Sequence, residues 1–263
     1  MKDTTLHIND ISINYISFGK GKKNLILIPG LGDGLTTVKG TSIPFSLLYQ
    51  AYTKDYTVYS FSSRNEIKEG HTTKDMAMDL KKAMDALNLT SVDVVGVSQG
   101  GMIAQYLAID RPDLVRKLVL AVTASRNNSV INESIEKWVG LTEQREWGKL
   151  VRDMAVRMYS DSYLRRYKIF MPLLAIVQKP KDPMRFSMLS KACLTCDAYD
   201  ELDRIECSVL VIGGSEDKIV GEEASLEIAK KINCDIYIYK GLGHALYEEA
   251  KDFNSRVLAF FAK

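Results

Sequence analysis

Histidine and cysteine are scarce in this sequence, net charge is nearly absent, and there is no long apolar run. Each shortage removes a class of function. Three histidines, His7, His71 and His244, are too few for a histidine-rich metal centre. The 35 basic and 33 acidic side chains leave a formal charge of +2, without the basic stripe that a nucleic-acid partner would ordinarily require. No stretch approaches the ~18 apolar residues needed to cross a bilayer, and the first residues contain no signal-peptide core. The expectation is a cytoplasmic protein with no nucleic-acid or membrane partner, no metal and no organic cofactor.

The four cysteines are Cys193, Cys196, Cys207 and Cys234. The first two have the C-x-x-C spacing of a redox pair or of half a zinc site. They do not follow a strand near the N-terminus, and no histidine or second cysteine pair lies nearby. The simpler reading is two ordinary thiols on one helix.

What is present is a globular chain: 263 residues, 46% hydrophobic and 26% charged, enough to bury a substantial core in one or two domains. It contains no internal repeat. Leu6, Ile8, Ile11, Ile13 and Tyr15 alternate with polar residues and predict two short strands joined at Asn9-Asp10. Leu25–Ile28, Tyr56–Phe61, Val92–Val97 and Val115–Val122 are short apolar runs of the kind buried on both faces of a parallel sheet. Met76, Leu80, Ala83, Met84 and Leu87 share one face of a helix over Thr73–Leu87, and a second helix is expected from Gly101 to about Asp110.

After Ser125 the strand-like runs stop. Trp147, Leu150, Val151, Met154 and Met158 share a helical face, and Pro172, Pro180 and Pro183 punctuate the segment. Alternation then resumes with strands at Val209–Ile212 and Ile236–Tyr239 and helices at Glu222–Lys231 and Tyr247–Phe261. The pattern predicts an α/β fold with a mostly parallel sheet flanked by helices and a helical cap inserted after the sixth strand. Residues 1–125 and 191–263 form the expected core, and residues 126–190 the cap, lying over the strand ends where such sheets bind ligands.

Gly96-Val97-Ser98-Gln99-Gly100 sits between the run VDVVGV and the helical segment GMIAQYLAI. A serine in that strand-to-helix turn presents its hydroxyl at the N-terminus of a helix, and the small neighbours allow close packing. A hydroxyl needs a base to act as a nucleophile. His7 reads as a sheet-surface residue, and His71, in the polar loop Lys68-Glu69-Gly70-His71-Thr72, reads as solvent-exposed. His244 follows a strand and the turn Gly241-Leu242-Gly243, from which it can reach the carboxyl edge of the sheet. Asp217, after the run VLVIGG, is the candidate carboxylate to orient the base, with adjacent Glu216 and more distant Glu222 as rivals. The amides of Leu31, in Pro29-Gly30-Leu31-Gly32, and of Gln99 are candidates for stabilising an oxyanion. Gly30–Gly34 lacks the G-x-G-x-x-G and Walker patterns, so a phosphate-binding loop is not indicated.

With LILIPGLGDG, GVSQGGMIAQYLA, GGSEDKIV and GLGHALYEE in this order, the chain resembles the alpha/beta-hydrolase superfamily over nearly its whole length. It is similar to the small capped esterases and non-haem peroxidase-like serine hydrolases of that superfamily. The resemblance implies about eight strands with helices on both sides and hydrolysis of an ester or related bond in a small-molecule substrate through an acyl-enzyme. Where relatives often carry Asp-x-Arg-Gly-x-Gly, this chain reads SFSSRNEIKEG. The expected activity is that of a carboxylic-ester hydrolase acting on a small or medium apolar ester. Trp138, Trp147, Met154, Met158, Phe170 and Met171 supply apolar surface in the insert. Two alternatives stay open. One is a C–C bond hydrolase of the meta-cleavage type, whose carboxylate would need a basic group such as Arg152, Arg157, Arg165 or Arg166. The other is a hydrolase-like small-molecule binding protein.

Overall fold

The computed structural model describes residues 1–167 and 179–263. Phe170, Met171 and Pro172 therefore lie outside the described residues. The strands are β1 (Lys2–Ile8), β2 (Ile11–Phe18), β3 (Lys23–Ile28), β4 (Tyr56–Arg64), β5 (Val92–Val97), β6 (Val115–Ala121), β7 (Ser208–Gly214) and β8 (Asp235–Tyr239). β1 and β2 form the expected hairpin, with Ile8 opposite Ile11, and Asn9 takes the left-handed backbone at φ 50° that a short polar side chain tolerates. The eight strands form one sheet in the order β1-β2-β4-β3-β5-β6-β7-β8. β2 meets β1 and β4 antiparallel, and the remaining neighbours are parallel.

The central strands are mainly apolar because both of their faces are covered, with polar residues such as Lys23, Arg116, Lys117 and Ser208 confined to their N-terminal ends and Asp93 buried in β5. Ile26, Val94, Leu118 and Val211 enter one buried cluster. Their immediate neighbours Leu25, Val95, Val119 and Ile212 enter the other. Between strands run α1 (Gly32–Leu35), α2 (Ser42–Leu48), α3 (Thr73–Ala86) and α4 (Gln99–Asp110), and α5 (Ser129–Glu143), α6 (Trp147–Met158), α7 (Asp161–Tyr167) and α8 (Pro183–Cys193) fill the insertion after β6. α9 (Glu222–Ile232) joins β7 to β8, and α10 (Leu246–Glu249) and α11 (Phe253–Ala262) close the chain. The apolar stripe expected on α3 is realised: Met76 and Leu80 join Ile103 and Leu107 of α4 in the cluster on the first face, while Val257 and Phe261 of α11 cover the second.

The insertion leaves and rejoins the core through one narrow base. Arg126 bridges Asp197, the Ala198 amide donates to the Ser125 carbonyl at 2.7 Å, and the Asn127 amide donates to the Cys196 carbonyl at 3.1 Å. α8 continues past residue 190 to Cys193. Two expectations need correction. The single helix expected over Tyr247–Phe261 is broken by Ala250, whose extended backbone (φ −82°, ψ 112°) ends α10. Cys196 lies beyond the end of α8, so the C-x-x-C pair does not share one helix. Among the described residues no helix is long and apolar enough to cross a membrane.

From β3 the chain moves out to β4 and returns to β5 on the other side of β3, so the strand order reverses between β3 and β5. Open α/β sheets hold ligands beyond the carboxyl ends of the strands at such a reversal. Leu31 follows β3 and Ser98 follows β5.

Candidate active site

β5 ends at Val97, and α4 begins at Gln99. The single residue between them, Ser98, has φ 54° and ψ −121°, a conformation that a side-chain-bearing residue adopts only when its surroundings impose it. The flanking glycines account for this. A Cβ on Gly96 would lie 2.6 Å from the Gly100 carbonyl oxygen, and one on Gly100 would lie 2.1 Å from the Ile28 carbonyl oxygen. Strand, turn and helix are thus packed backbone to backbone. The Ser98 amide donates to the Ala121 carbonyl at 2.9 Å, and the Ser98 carbonyl accepts from the Thr123 hydroxyl at 2.7 Å. These bonds fix the backbone and leave the side chain on a cavity of about 970 Å³.

His244 is buried on the same cavity, and its Nδ1 lies 2.8 Å from Asp217 Oδ2. Asp217 Oδ1 accepts from the amides of Ile219 at 2.8 Å and Val220 at 3.0 Å. Burial pushes the Asp217 carboxyl upward, but the His244 ring and the two amides outweigh it and hold the group below the usual carboxylate range. Glu216 is exposed, and Glu222 opens α9 away from His244. The structure therefore brings Asp217, and neither rival, against His244. Ser98 and His244 face one another across the cavity without a direct hydrogen bond among the described residues; catalytic contacts of this kind commonly tighten only with substrate in place.

Leu31 and Gln99 also take the places expected of them, in the turns after β3 and β5. Among the described residues, neither backbone N–H has an acceptor. Two orphan donors beside a serine at a helix N-terminus are suited to an anionic oxygen.

α8 secures both turns, which the sequence did not announce. The buried Arg185 guanidinium donates to Asp33 Oδ2 at 2.8 Å and to the Arg64 carbonyl at 2.6 Å. Asp33 stands two residues after Leu31 and also accepts from the Ser63 amide at 2.9 Å. Burial raises the Asp33 carboxyl even though the Arg185 charge opposes it. From α4, Gln99 Nε2 donates to the Leu189 carbonyl at 2.6 Å and to Cys193 Sγ at 3.1 Å. Cys193 and Cys196 are buried free thiols, each pushed by that burial up to about 12, which leaves them protonated and unreactive.

Among the described residues no group of three or more His, Cys, Asp and Glu side chains is placed to hold a metal ion. His7 is exposed, as expected. His71 is not solvated: its side chain is only 9% exposed, and Nε2 lies 3.1 Å from Asp79 Oδ2, which also accepts from Arg64. The polar loop folds back onto α3 because Asp79 points inward there. Ile131, Ile135, Trp138 and Met154 give the cavity an apolar wall from α5 and α6, and Met158 joins them. Trp147 packs on the rim of the core instead. Arg157 is spent on Asp153 and Glu133, Arg152, Arg165 and Arg166 are exposed, and no arginine lines the cavity among the described residues.

A model of the alpha/beta hydrolase fold matches residues 23–251. The chain belongs to this family. The alpha/beta hydrolases similar to it include a 2-hydroxy-6-oxononadienedioate/2-hydroxy-6-oxononatrienedioate hydrolase of Pseudomonas putida, 26% identical, covering 95% of this chain and 92% of that protein. A Caulobacter vibrioides protein named for carbamate hydrolysis is also 26% identical, over 91% of this chain and 90% of its own. Among solved structures, the enol-lactonase of Burkholderia xenovorans LB400 superposes with a TM-score of 0.85 at 19% identity, covering 99% of this chain and 100% of that one, which shows the shared fold. The chain is an alpha/beta-hydrolase-fold enzyme. Neither of these two sequence relatives is named as a carboxylic-ester hydrolase, the activity expected from the sequence.

Proposed function

We propose that this hydrolase cleaves an acyl bond of a medium-sized, mainly apolar substrate through an acyl-enzyme on Ser98. The observation that carries the reading is one cavity lined by a strained serine, a carboxylate-bound histidine and Leu31, with the second orphan amide, that of Gln99, directly after the serine. His244 takes the Ser98 proton as the serine oxygen bonds to the acyl carbon. The amides of Leu31 and Gln99 receive the oxygen that becomes negative, and Asp217 stabilises the imidazolium. His244 then passes the proton to the leaving atom, and water repeats the sequence to release the acid. We place the core at 1–125 and 191–263 with an insertion at 126–190, and read the insertion's helices α5 to α7 as a lid that shapes the substrate cavity.

The relatives support C–C hydrolysis of a meta-cleavage product as a second reading. In this cavity Lys179 and Lys181, rather than an arginine, would have to meet its carboxylate. A fluorophosphonate should add one reagent per chain at Ser98, and Ser98→Ala should lose turnover of aryl esters, aryl carbamates and vinylogous diketo acids alike. The panel assigns the bond, and turnover of any member rules out a mere binding protein. Labelling at another residue, or undiminished turnover by Ser98→Ala, would overturn the nucleophile assignment.

A further inference from the structure

The cavity carries a carboxylate that the proposed reaction does not use. Glu248 lies on α10, four residues after His244, and lines the same cavity as Ser98. Its Oε2 accepts the Tyr159 hydroxyl at 2.7 Å, and among the described residues no lysine or arginine pairs with it. Its neighbour Glu249 is occupied differently, accepting the Ser160 amide at 2.9 Å. Glu248 is exposed, with the Tyr159 hydroxyl against one of its oxygens. Burial raises its carboxyl, the Tyr159 hydroxyl opposes that, and the Glu249 charge adds to it.

Tyrosines share the cavity with this carboxylate, and one of them, Tyr159, is bonded to it. Tyr49, Tyr159, Tyr163 and Tyr247 all line the cavity. Burial first, and the Glu248 charge after it, push the phenols of Tyr49, Tyr159 and Tyr247 upward, so these three rings lie within reach of that charge and remain neutral. Tyr159 and Tyr163 stack at 4.6 Å with planes 8° apart. Aromatic faces beside a carboxylate attract an organic cation twice over, through the ring quadrupole and through charge. Lys179 and Lys181 also line this cavity, but among the described residues neither forms an ion pair with Glu248, and the Lys181 amide donates to the Leu35 carbonyl at the end of α1.

We infer that Glu248 and its tyrosines form a subsite for an organic ammonium group, so that the substrate carries a quaternary or protonated amine. This inference rests on the acyl-transfer reading above and narrows it. It sets the substrate apart from the dicarboxylates for which some relatives are named, because a second carboxylate would meet Glu248 with like charge.

Two measurements separate the subsite from the reaction. In calorimetric titration of the Ser98→Ala protein, phenyltrimethylammonium should bind about ten-fold more tightly than its neutral isostere tert-butylbenzene. Glu248→Gln added to that protein should abolish most of the preference. In turnover by the wild type, kcat/KM for a choline ester should exceed that for the matching 3,3-dimethylbutyl ester by a similar factor, and Glu248→Gln should collapse the ratio. Equal binding of the two isosteres to Ser98→Ala, or no binding of either, overturns the subsite whatever happens to Glu248→Gln. A preference that survives Glu248→Gln overturns its assignment to that carboxylate. Binding of the cation with no turnover of any ester, carbamate or vinylogous diketo acid would leave the subsite standing and sink the acyl-transfer reading instead.

Discussion

Asp217 holds two structures at once. Oδ1 closes its own loop by taking the amides of Ile219 and Val220, and Oδ2 takes His244 Nδ1. An asparagine could keep the first task with its carbonyl oxygen. Its amide nitrogen would then face Nδ1 as a donor and force the proton onto Nε2, where the base must be free. Asp217→Asn should therefore fold and lose kcat by a factor on the order of 10⁴. Glu216→Gln, at an exposed neighbour, should change kcat little. Because the native environment holds Asp217 below its ordinary range, the sign of the pH linkage is fixed. The ionised carboxylate contributes stability above its unfolded pKa of about 3.9, and that contribution is lost as pH falls through the lower native value. In urea unfolding, the gap between wild type and Asp217→Asn should be steady near neutrality and close below about pH 4. A gap that failed to close in strong acid would contradict the assignment.

At the scale of elements, α8 belongs in sequence to the insertion and in contacts to the catalytic floor. Arg185 ties it to Asp33 beside one oxyanion turn, and Leu189 and Cys193 tie it to Gln99 in the other. Arg185→Met would leave Asp33 buried without its cation, a change that typically costs about 3–5 kcal/mol. Urea unfolding should show that loss, and Asp33→Asn combined with Arg185→Met should recover part of it because the orphan charge is then gone. α5 and α6 instead meet the cavity through apolar side chains such as Ile131, Trp138 and Met154. Lids are drawn from the less stable parts of a structure. Hydrogen exchange should find α5 to α7 opening more readily than β3, β5 and β6, with α8 protected like the strands. Uniform protection across the four helices would mean that the insertion does not open as a lid.

Across the whole molecule, legibility followed burial of apolar surface. Strands such as Val92–Val97 could be read to the residue because both faces are covered, which writes the strand as a short apolar run interrupted only by Asp93. Ser98, Asp217 and His244 were readable because each stands in a turn directly after a strand. Charges placed by tertiary contacts were the blind spot. His71, Arg185 and Glu248 sit in polar sequence that looks solvated, and only the tertiary pairing with Asp79 and Asp33, or the cavity beside Tyr159, gives them their places. The break at Ala250 escaped because the stretch Glu248-Glu249-Ala250-Lys251-Asp252 holds no glycine or proline to mark a helix end.

The narrow base of the insertion has a consequence for inheritance and for engineering. Ser125 and Ala198 are hydrogen-bonded neighbours, so the polypeptide between them departs and returns at almost the same point. A segment anchored like that can be exchanged as a cassette without re-routing the sheet. The exchange is not free of conditions, because a graft that discarded α8 would strip Asp33 of its cation and Gln99 of its acceptors. A transplant that keeps Arg185 and Leu189 and replaces only the helices before them would alter what the enzyme admits while leaving the bond-breaking apparatus intact.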